Sequence, residues 1–226
     1  RKEEGYNLRN WEPYKSMGRY TGPSCRLCRR AGMKLMLKGS KCETAKCQIE
    51  KRQRNMSPGM HGWRRSRQSE YGVRLREKQK VKRYYGLLDK QFMRYFHIAE
   101  RTKANTGKML LQLLERRLDN VVYKLNFAAS RKAARQLISH GHIYVNGRKV
   151  NISDYTVNVG DKISIKNSEK SSKKVKEQLE SNPNFTTQSW LELDRDKPGA
   201  TVAALPSRED VQIPVEEELV VEFCSR

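Results

Sequence analysis

The chain has 226 residues, enough for one domain or two modest ones. Lys and Arg number 47 against 25 Asp and Glu, and the resulting net charge of +22 repels itself in isolation and suits a protein held against a polyanion. No apolar run is long enough to span a membrane, residues 1–16 carry no apolar signal-peptide core, and five cysteines without a secretion signal point to a reducing cytosol rather than to disulfides.

The charge is uneven along the chain. Residues 17–90 hold 21 basic and 5 acidic side chains, residues 91–170 hold 15 and 6, and residues 171–226 reverse the sign with 7 and 11. The polyanion is therefore expected against the first three-quarters, and the last quarter against the protein's own basic body or a protein neighbour. Residues 1–16 read as an extension of unknown role or an upstream artefact, because the dense motif region begins at Met17.

Residues 17–55 are short pieces broken by Gly22-Pro23, Gly32 and Gly39, and they carry four of the five cysteines. The spacing is Cys-x2-Cys-x13-Cys-x4-Cys over Cys25, Cys28, Cys42 and Cys47. Two thiolates from one turn and two from a later one can close a tetrahedral site with sulfur about 2.3 Å from the metal. Such a closed site is structural. Soft thiolates select zinc or an iron–sulfur cluster, and the lack of any other redox feature favours one zinc ion. A redox pair at Cys25 and Cys28 would need a strand–helix context that this Gly- and Arg-rich stretch does not offer. Large apolar side chains are too few here to suggest a core, so the metal is expected to hold Arg19, Arg26, Arg29, Arg30 and Lys34 in fixed relation to phosphates. Cys224, on an apolar segment, reads as a small buried hydrophobe.

A loop with Pro58-Gly59, His61 and Gly62 leads into a basic domain over residues 56–114, helical from about residue 69. Arg64, Arg65, Arg67, Arg74, Arg76, Lys78, Lys80 and Arg83 alternate with Trp63, Tyr71, Tyr84 and Tyr85. The cations suit phosphates, and the rings either stack on splayed bases or fill the core.

Residues 115–180 read as a compact unit. Leu114, Leu118, Val121, Val122 and Leu125 make one helical face, and Ser130 caps a helix over residues 131–140 whose stripe is Ala133, Ala134, Leu137 and Ile138. Gly141 ends that helix, and Asn146-Gly147 is the favoured two-residue hairpin turn. Arg131, Lys132 and Arg135 fall on the face opposite the stripe, with His140, His142, Asn146 and Arg148 around the hairpin; together they suit folded RNA. The histidines have no patterned carboxylate or nucleophile, which favours RNA contact or turn capping over catalysis. After a polar helix near residues 169–181, the alternation at Leu191-Leu193, Val211-Ile213-Val215 and residues 219–223 predicts short strands in residues 181–226 that return to the helical domain. The expected class is α+β: a zinc-stapled N-terminal segment, a helical domain and a small helix–helix–hairpin module.

Several stretches in order resemble the universal "S-four" family of small-subunit ribosomal proteins in its bacterial zinc-binding form. They are Gly18-Arg19-Tyr20 through Cys25-Arg26-Leu27-Cys28-Arg29-Arg30, Pro58-Gly59 with His61-Gly62, YGVRLREKQK at 71–80, LLERRLDNVVY at 113–123, AARQLISHGHIYVN at 133–146, and residues 219–226. Met60 stands where the family usually has Gln, and Cys224 where it usually has an aromatic. The resemblance implies a cytoplasmic, ribosomal, non-enzymatic protein. It implies primary binding to the five-prime domain of small-subunit ribosomal RNA and nucleation of the subunit body. It also implies a position beside neighbours "S-three" and "S-five", near the channel by which messenger RNA arrives, with influence on accuracy. The same small module occurs in RNA-modifying and tRNA-charging enzymes, but no nucleotide loop or nucleophile–base set accompanies it here. The remaining alternative is an RNA chaperone or translational regulator acting off the ribosome.

Overall fold

The computed structural model describes residues 20–51, 56–63, 67–182, 185–194 and 199–225. A short helix α1 (Ser24–Ala31) and a single 3-10 turn (Gly39–Cys42) precede the helices α2 (Glu70–Tyr84), α3 (Asp89–Glu100) and α4 (Thr106–Glu115). Ser69 and Asn105 stand at the N-caps of α2 and α4, their side-chain oxygens accepting from the amides of Gly72 (3.2 Å) and Lys108 (3.1 Å). Glu70 in the first turn of α2 and Lys82 and Arg83 in its last complement the helix dipole. Among the described residues no helix is long and apolar enough to cross a membrane.

Helices α5 (Leu118–Lys124) and α6 (Arg131–Ser139) follow, the second capped by Ser130, whose Oγ accepts from the Ala133 amide at 3.3 Å. Strands β1 (Ile143–Val145) and β2 (Arg148–Lys149) form a hairpin across Asn146-Gly147, both at positive φ (51° and 76°), as a two-residue primed turn requires. After β3 (Lys162–Ile165) the chain forms α7 (Glu169–Glu180), β4 (Leu191–Asp194), β5 (Gly199–Val202) and finally α8 (Glu217–Cys224). The five strands make one antiparallel sheet in the order β2-β1-β3-β5-β4.

Two apolar clusters result. One joins α2, α3, α4 and α8, with Leu35 and Leu37 from the N-terminal segment and Val211, Ile213 and Val215 from the C-terminal one. The other joins α5, α6 and the sheet around Trp190 and Val175. The chain therefore crosses into the module at residue 118 and returns to the helical body near residue 211.

The C-terminal strands expected from alternation are corrected in two ways. Leu191–Asp194 is a strand, but with β5 it extends the module's sheet rather than returning to the helical body. Val211, Ile213 and Val215 are buried at every second position without strand pairing, since alternation reports burial and any extended segment on an apolar surface satisfies it. Residues 219–223 lie in α8, where Val220 and Cys224, four apart, face inward. Eight residues with Glu217 and Glu218 at the start fit a helix as well as a strand, and packing on α2 and α4 decides the matter. That packing is close: a Cβ at Gly107 of α4 would lie 2.7 Å from the Cβ of Glu217.

Candidate nucleic-acid interface

The cysteine-rich segment is held differently from the sequence expectation. Cys25, Cys28, Cys42 and Cys47 line one small recess with Leu37 and Ile49, and all are free thiols. Among the described residues, however, no group of three or more His, Cys, Asp or Glu side chains is arranged to hold a metal ion. The four-thiolate zinc site, and with it the zinc-stapled segment and the zinc-binding form of the family, is corrected accordingly. Cys42 Sγ instead accepts from the Lys38 amide at 3.4 Å, and burial pushes the Cys28 thiol up, toward its protonated form. A cysteine packs as a small hydrophobe, so clustering in sequence also arises from a shared interior. The segment is anchored by Leu35 and Leu37 in the helical core, which the count of apolar side chains undervalued. A Lys34–Glu50 ion pair ties the segment to itself, and a bond from Arg76 Nη1 to the Arg30 carbonyl (3.2 Å) adds to the attachment.

Along α2 most cations are matched. Arg74 pairs with Glu70 (3.1 Å) and Glu222 (2.6 Å), Lys80 with Glu77, and Lys78 and Lys82 with Asp89 (3.7 and 2.7 Å). Arg76 and Arg83 have no carboxylate at ion-pair distance among the described residues, nor do the exposed Arg26, Arg30 and Arg67. Burial lowers the Arg76 and Arg83 pKa values, and neighbouring guanidiniums add to it: Arg30 at Arg76, Arg76 and Arg30 at Arg83. The Arg29 Nε is buried without a hydrogen-bond partner. His61 is exposed in a turn with Met60 and Trp63, both prominently accessible. Arg19, Arg64 and Arg65 lie outside the described residues. Of the tyrosines, Tyr84 and Tyr85 fill the core, whereas Tyr71 is exposed and packs on Phe223 with ring centroids 5.3 Å apart.

Two of the three cations of α6 turn inward. Arg131 is 5% exposed; its guanidinium carbon lies 3.9 Å from the Tyr84 ring centroid and 4.5 Å from that of Tyr123, and its Nε donates to Asn120 Oδ1 at 2.8 Å. Arg135 Nε donates to Asp119 (2.6 Å), and its two terminal nitrogens donate to the carbonyls of Gly86 (2.6 Å) and Tyr85 (2.8 Å). Lys132 Nζ donates to Ser24 Oγ at 2.9 Å. Arg131, beside Ile138 at the edge of the apolar stripe, is covered by the helical body; Arg135 is half-buried against it, and Lys132 stays exposed. Around the hairpin, His140 and Arg148 are exposed, and His142 Nδ1 lies 3.0 Å from Ser171 Oγ. Asn146 accepts from the Lys162 amide (2.9 Å) and donates to Asp161 (2.8 Å), so its side chain holds the turn.

Sequence reading missed the buried polar seam beneath this surface. Arg117, 1% exposed, meets Asp119 (2.9 Å), Asp154 and the Tyr95 hydroxyl (2.9 Å). Tyr95 in turn donates to Asp154 at 2.5 Å; burial, with Asp154 adding to it, leaves its hydroxyl pushed up to about 12. Glu115, fully buried, accepts from Tyr85 (2.6 Å) and Asn120 (2.5 Å) and faces Lys124 at 3.7 Å. The only available signal was a run of charged residues inside an apolar helical pattern, Glu115-Arg116-Arg117 and Asp119.

Comparison with known proteins matches both parts of the chain. A family model described as ribosomal protein S4/S9 N-terminal domain matches residues 19–115, and one described as S4 domain matches residues 116–163. The chain is similar to proteins named small ribosomal subunit protein uS4 from Halothermothrix orenii (56% identical), Pelotomaculum thermopropionicum (54%) and Kosmotoga olearia (52%). Each match covers 210 residues, 93% of this chain and the whole of the relative. With a helical body and a small α/β module both matched, the chain belongs to the uS4 family of small ribosomal subunit proteins.

Proposed function

We propose that the protein is a structural, non-enzymatic constituent of the bacterial small ribosomal subunit that binds ribosomal RNA. The observation that carries this is the extent of the family match, which runs through both parts of the chain at more than half identity. The unpaired guanidiniums at the α1–α2 junction and the exposed Arg148 of the hairpin support phosphate contact from both parts. In this reading the RNA is the five-prime domain of the small-subunit RNA, bound early so that the subunit body assembles around it. The neighbours are the proteins at positions "S-three" and "S-five", beside the arriving messenger RNA. The surfaces that would meet RNA are Arg26, Arg30, Arg67, Arg76, Arg83 and His61 on the helical body and His140 and Arg148 on the module. Arg131 and Arg135 act from within by fixing the two parts to each other.

The test compares affinity for the five-prime domain of small-subunit RNA with that for an unrelated folded RNA of equal length at physiological salt. A preference of about a hundredfold or more is expected. Equal affinity would mean that charge alone drives binding and would move an off-ribosome RNA chaperone to the front.

A further inference from the structure

Basic helices usually scatter their cations or pair them, and most of α2 does the latter. Arg74, Lys78, Lys80 and Lys82 each face a carboxylate of the chain itself. Arg30, Arg76 and Arg83 break the pattern. Arg76 and Arg83 are seven residues apart and so share one face of α2, two turns from each other. The last turn of α1 brings Arg30 to the same place, fixed by the bond from Arg76 Nη1 to the Arg30 carbonyl at 3.2 Å. That carbonyl lies at the negative end of the α1 dipole, so the Arg76 fork is held in place before any ligand arrives. None of the three has a carboxylate at ion-pair distance among the described residues, and Arg76 and Arg83 are half-buried. Burial first, and then their mutual repulsion, disfavour the charged forms: Arg30 acts on Arg76, and Arg76 and Arg30 act on Arg83, where Tyr20 and Asp89 oppose them.

Folding three guanidiniums together with no carboxylate at ion-pair distance among the described residues is unfavourable for the free protein. An external anion that removes the repulsion is bound correspondingly better, because partial burial strengthens each pairing. A single phosphodiester carries one negative charge and leaves most of the repulsion in place. Groups that bring two or three charges within the span of the cluster neutralise it.

Resting on the RNA-binding reading above and deepening it, we propose that Arg30, Arg76 and Arg83 form a clamp for two or more closely spaced phosphate groups. In RNA these are phosphates crowded by a sharp turn of the backbone. The same chemistry is offered by a free oligophosphate, which would then compete with RNA for the clamp.

The experiment uses the full chain with inorganic tripolyphosphate, orthophosphate at matched ionic strength, and the five-prime-domain RNA. Tripolyphosphate is expected to raise the thermal midpoint of the wild type well beyond orthophosphate, and Arg83→Gln or Arg30→Gln to remove that increment. Without ligand, Arg83→Gln is expected to unfold about 1–2 °C higher than the wild type as repulsion is relieved. Its RNA affinity should nonetheless fall, with a salt slope lower by about one unit. Arg76→Lys keeps the charge and should keep the slope while losing affinity, since an ammonium cannot form the two-pronged bond. Arg101→Gln, an exposed cation at the end of α3, serves as a control that leaves the tripolyphosphate increment intact. Equal responses to the two phosphates, or a ligand-free midpoint that falls in both Gln variants, would overturn the clamp. If tripolyphosphate behaves as expected but the RNA shows no preference over an unrelated RNA, the clamp stands with oligophosphate as its ligand and the RNA reading falls.

Discussion

Helices α2 and α6 both read as basic helices in the sequence, and their cations have different fates in the fold. The cations of α2 remain at the surface, four of them balanced by carboxylates of α2, α3 or α8, and two, Arg76 and Arg83, left without one beside Arg30 of α1. Two of the three on α6 face the helical body: Arg131 lies against the rings of Tyr84 and Tyr123, and Arg135 ties Asp119 to the backbone of the α2–α3 turn. A basic face therefore reports only that a helix surface avoids its own core. Whether water, nucleic acid or another part of the same chain meets it depends on what tertiary packing brings over it.

The sharpest way to break this contrast is Arg131→Ala. Removing the buried guanidinium empties the space against the Tyr84 and Tyr123 rings and takes the donor from Asn120 Oδ1, and a loss of about 3 kcal/mol of unfolding free energy is expected. Urea denaturation measures it; unchanged stability with weakened RNA binding would return α6 to the RNA surface. Next in size is an effect at alkaline pH along the same seam. The Tyr95 hydroxyl is pushed up to about 12 in the folded state, against about 10 in an unfolded chain. Its contribution is complete below pH 10 and is lost as pH rises through the folded value, so about 2 kcal/mol should disappear between pH 10 and 12. Tyr95→Phe should flatten that decline while costing about 1 kcal/mol at neutral pH; an equally steep decline in the variant would remove Tyr95 as its source. The smallest effect sharpens the comparison within α2. Lys82→Gln, which loses the pair with Asp89, should change stability by less than about 1 kcal/mol. Its change in RNA salt slope should be well under that of Arg83→Gln, because an internally paired cation releases fewer counterions.

Local signals were legible where a residue type has one good use. Ser130 at an N-cap, Asn146-Gly147 between two short strands and the stripe of Ala134, Leu137 and Ile138 all depend on neighbours a few positions away. Non-local facts were hidden. The four cysteines matched a ligand spacing, yet spacing cannot distinguish thiols that converge on an ion from thiols that converge on the same interior. The strand pattern near the end failed because eight residues satisfy either periodicity, and the surface of α2 and α4 selects the helix. The polar seam of Arg117, Asp119 and Asp154 joins residues up to 37 apart, and only the assembled fold brings them together. In the candidate interface, Arg30, Arg76 and Arg83 were recognisable as cations. That no carboxylate among the described residues reaches them, unlike Lys78, Lys80 and Lys82, became visible only in three dimensions.

The helical body is interrupted in the chain: α2, α3 and α4 come early, and α8, which covers α2 and α4 with Val220 and Cys224, comes more than a hundred residues later. During synthesis the intervening module, with its own core around Trp190, has all its strands by residue 202. The helical body must wait for α8 with part of its apolar surface uncovered. Vectorial synthesis thus reverses the order of the sequence, so that the part begun first is the part completed last. A nascent chain halted before residue 217 would carry a finished module beside an open helical body.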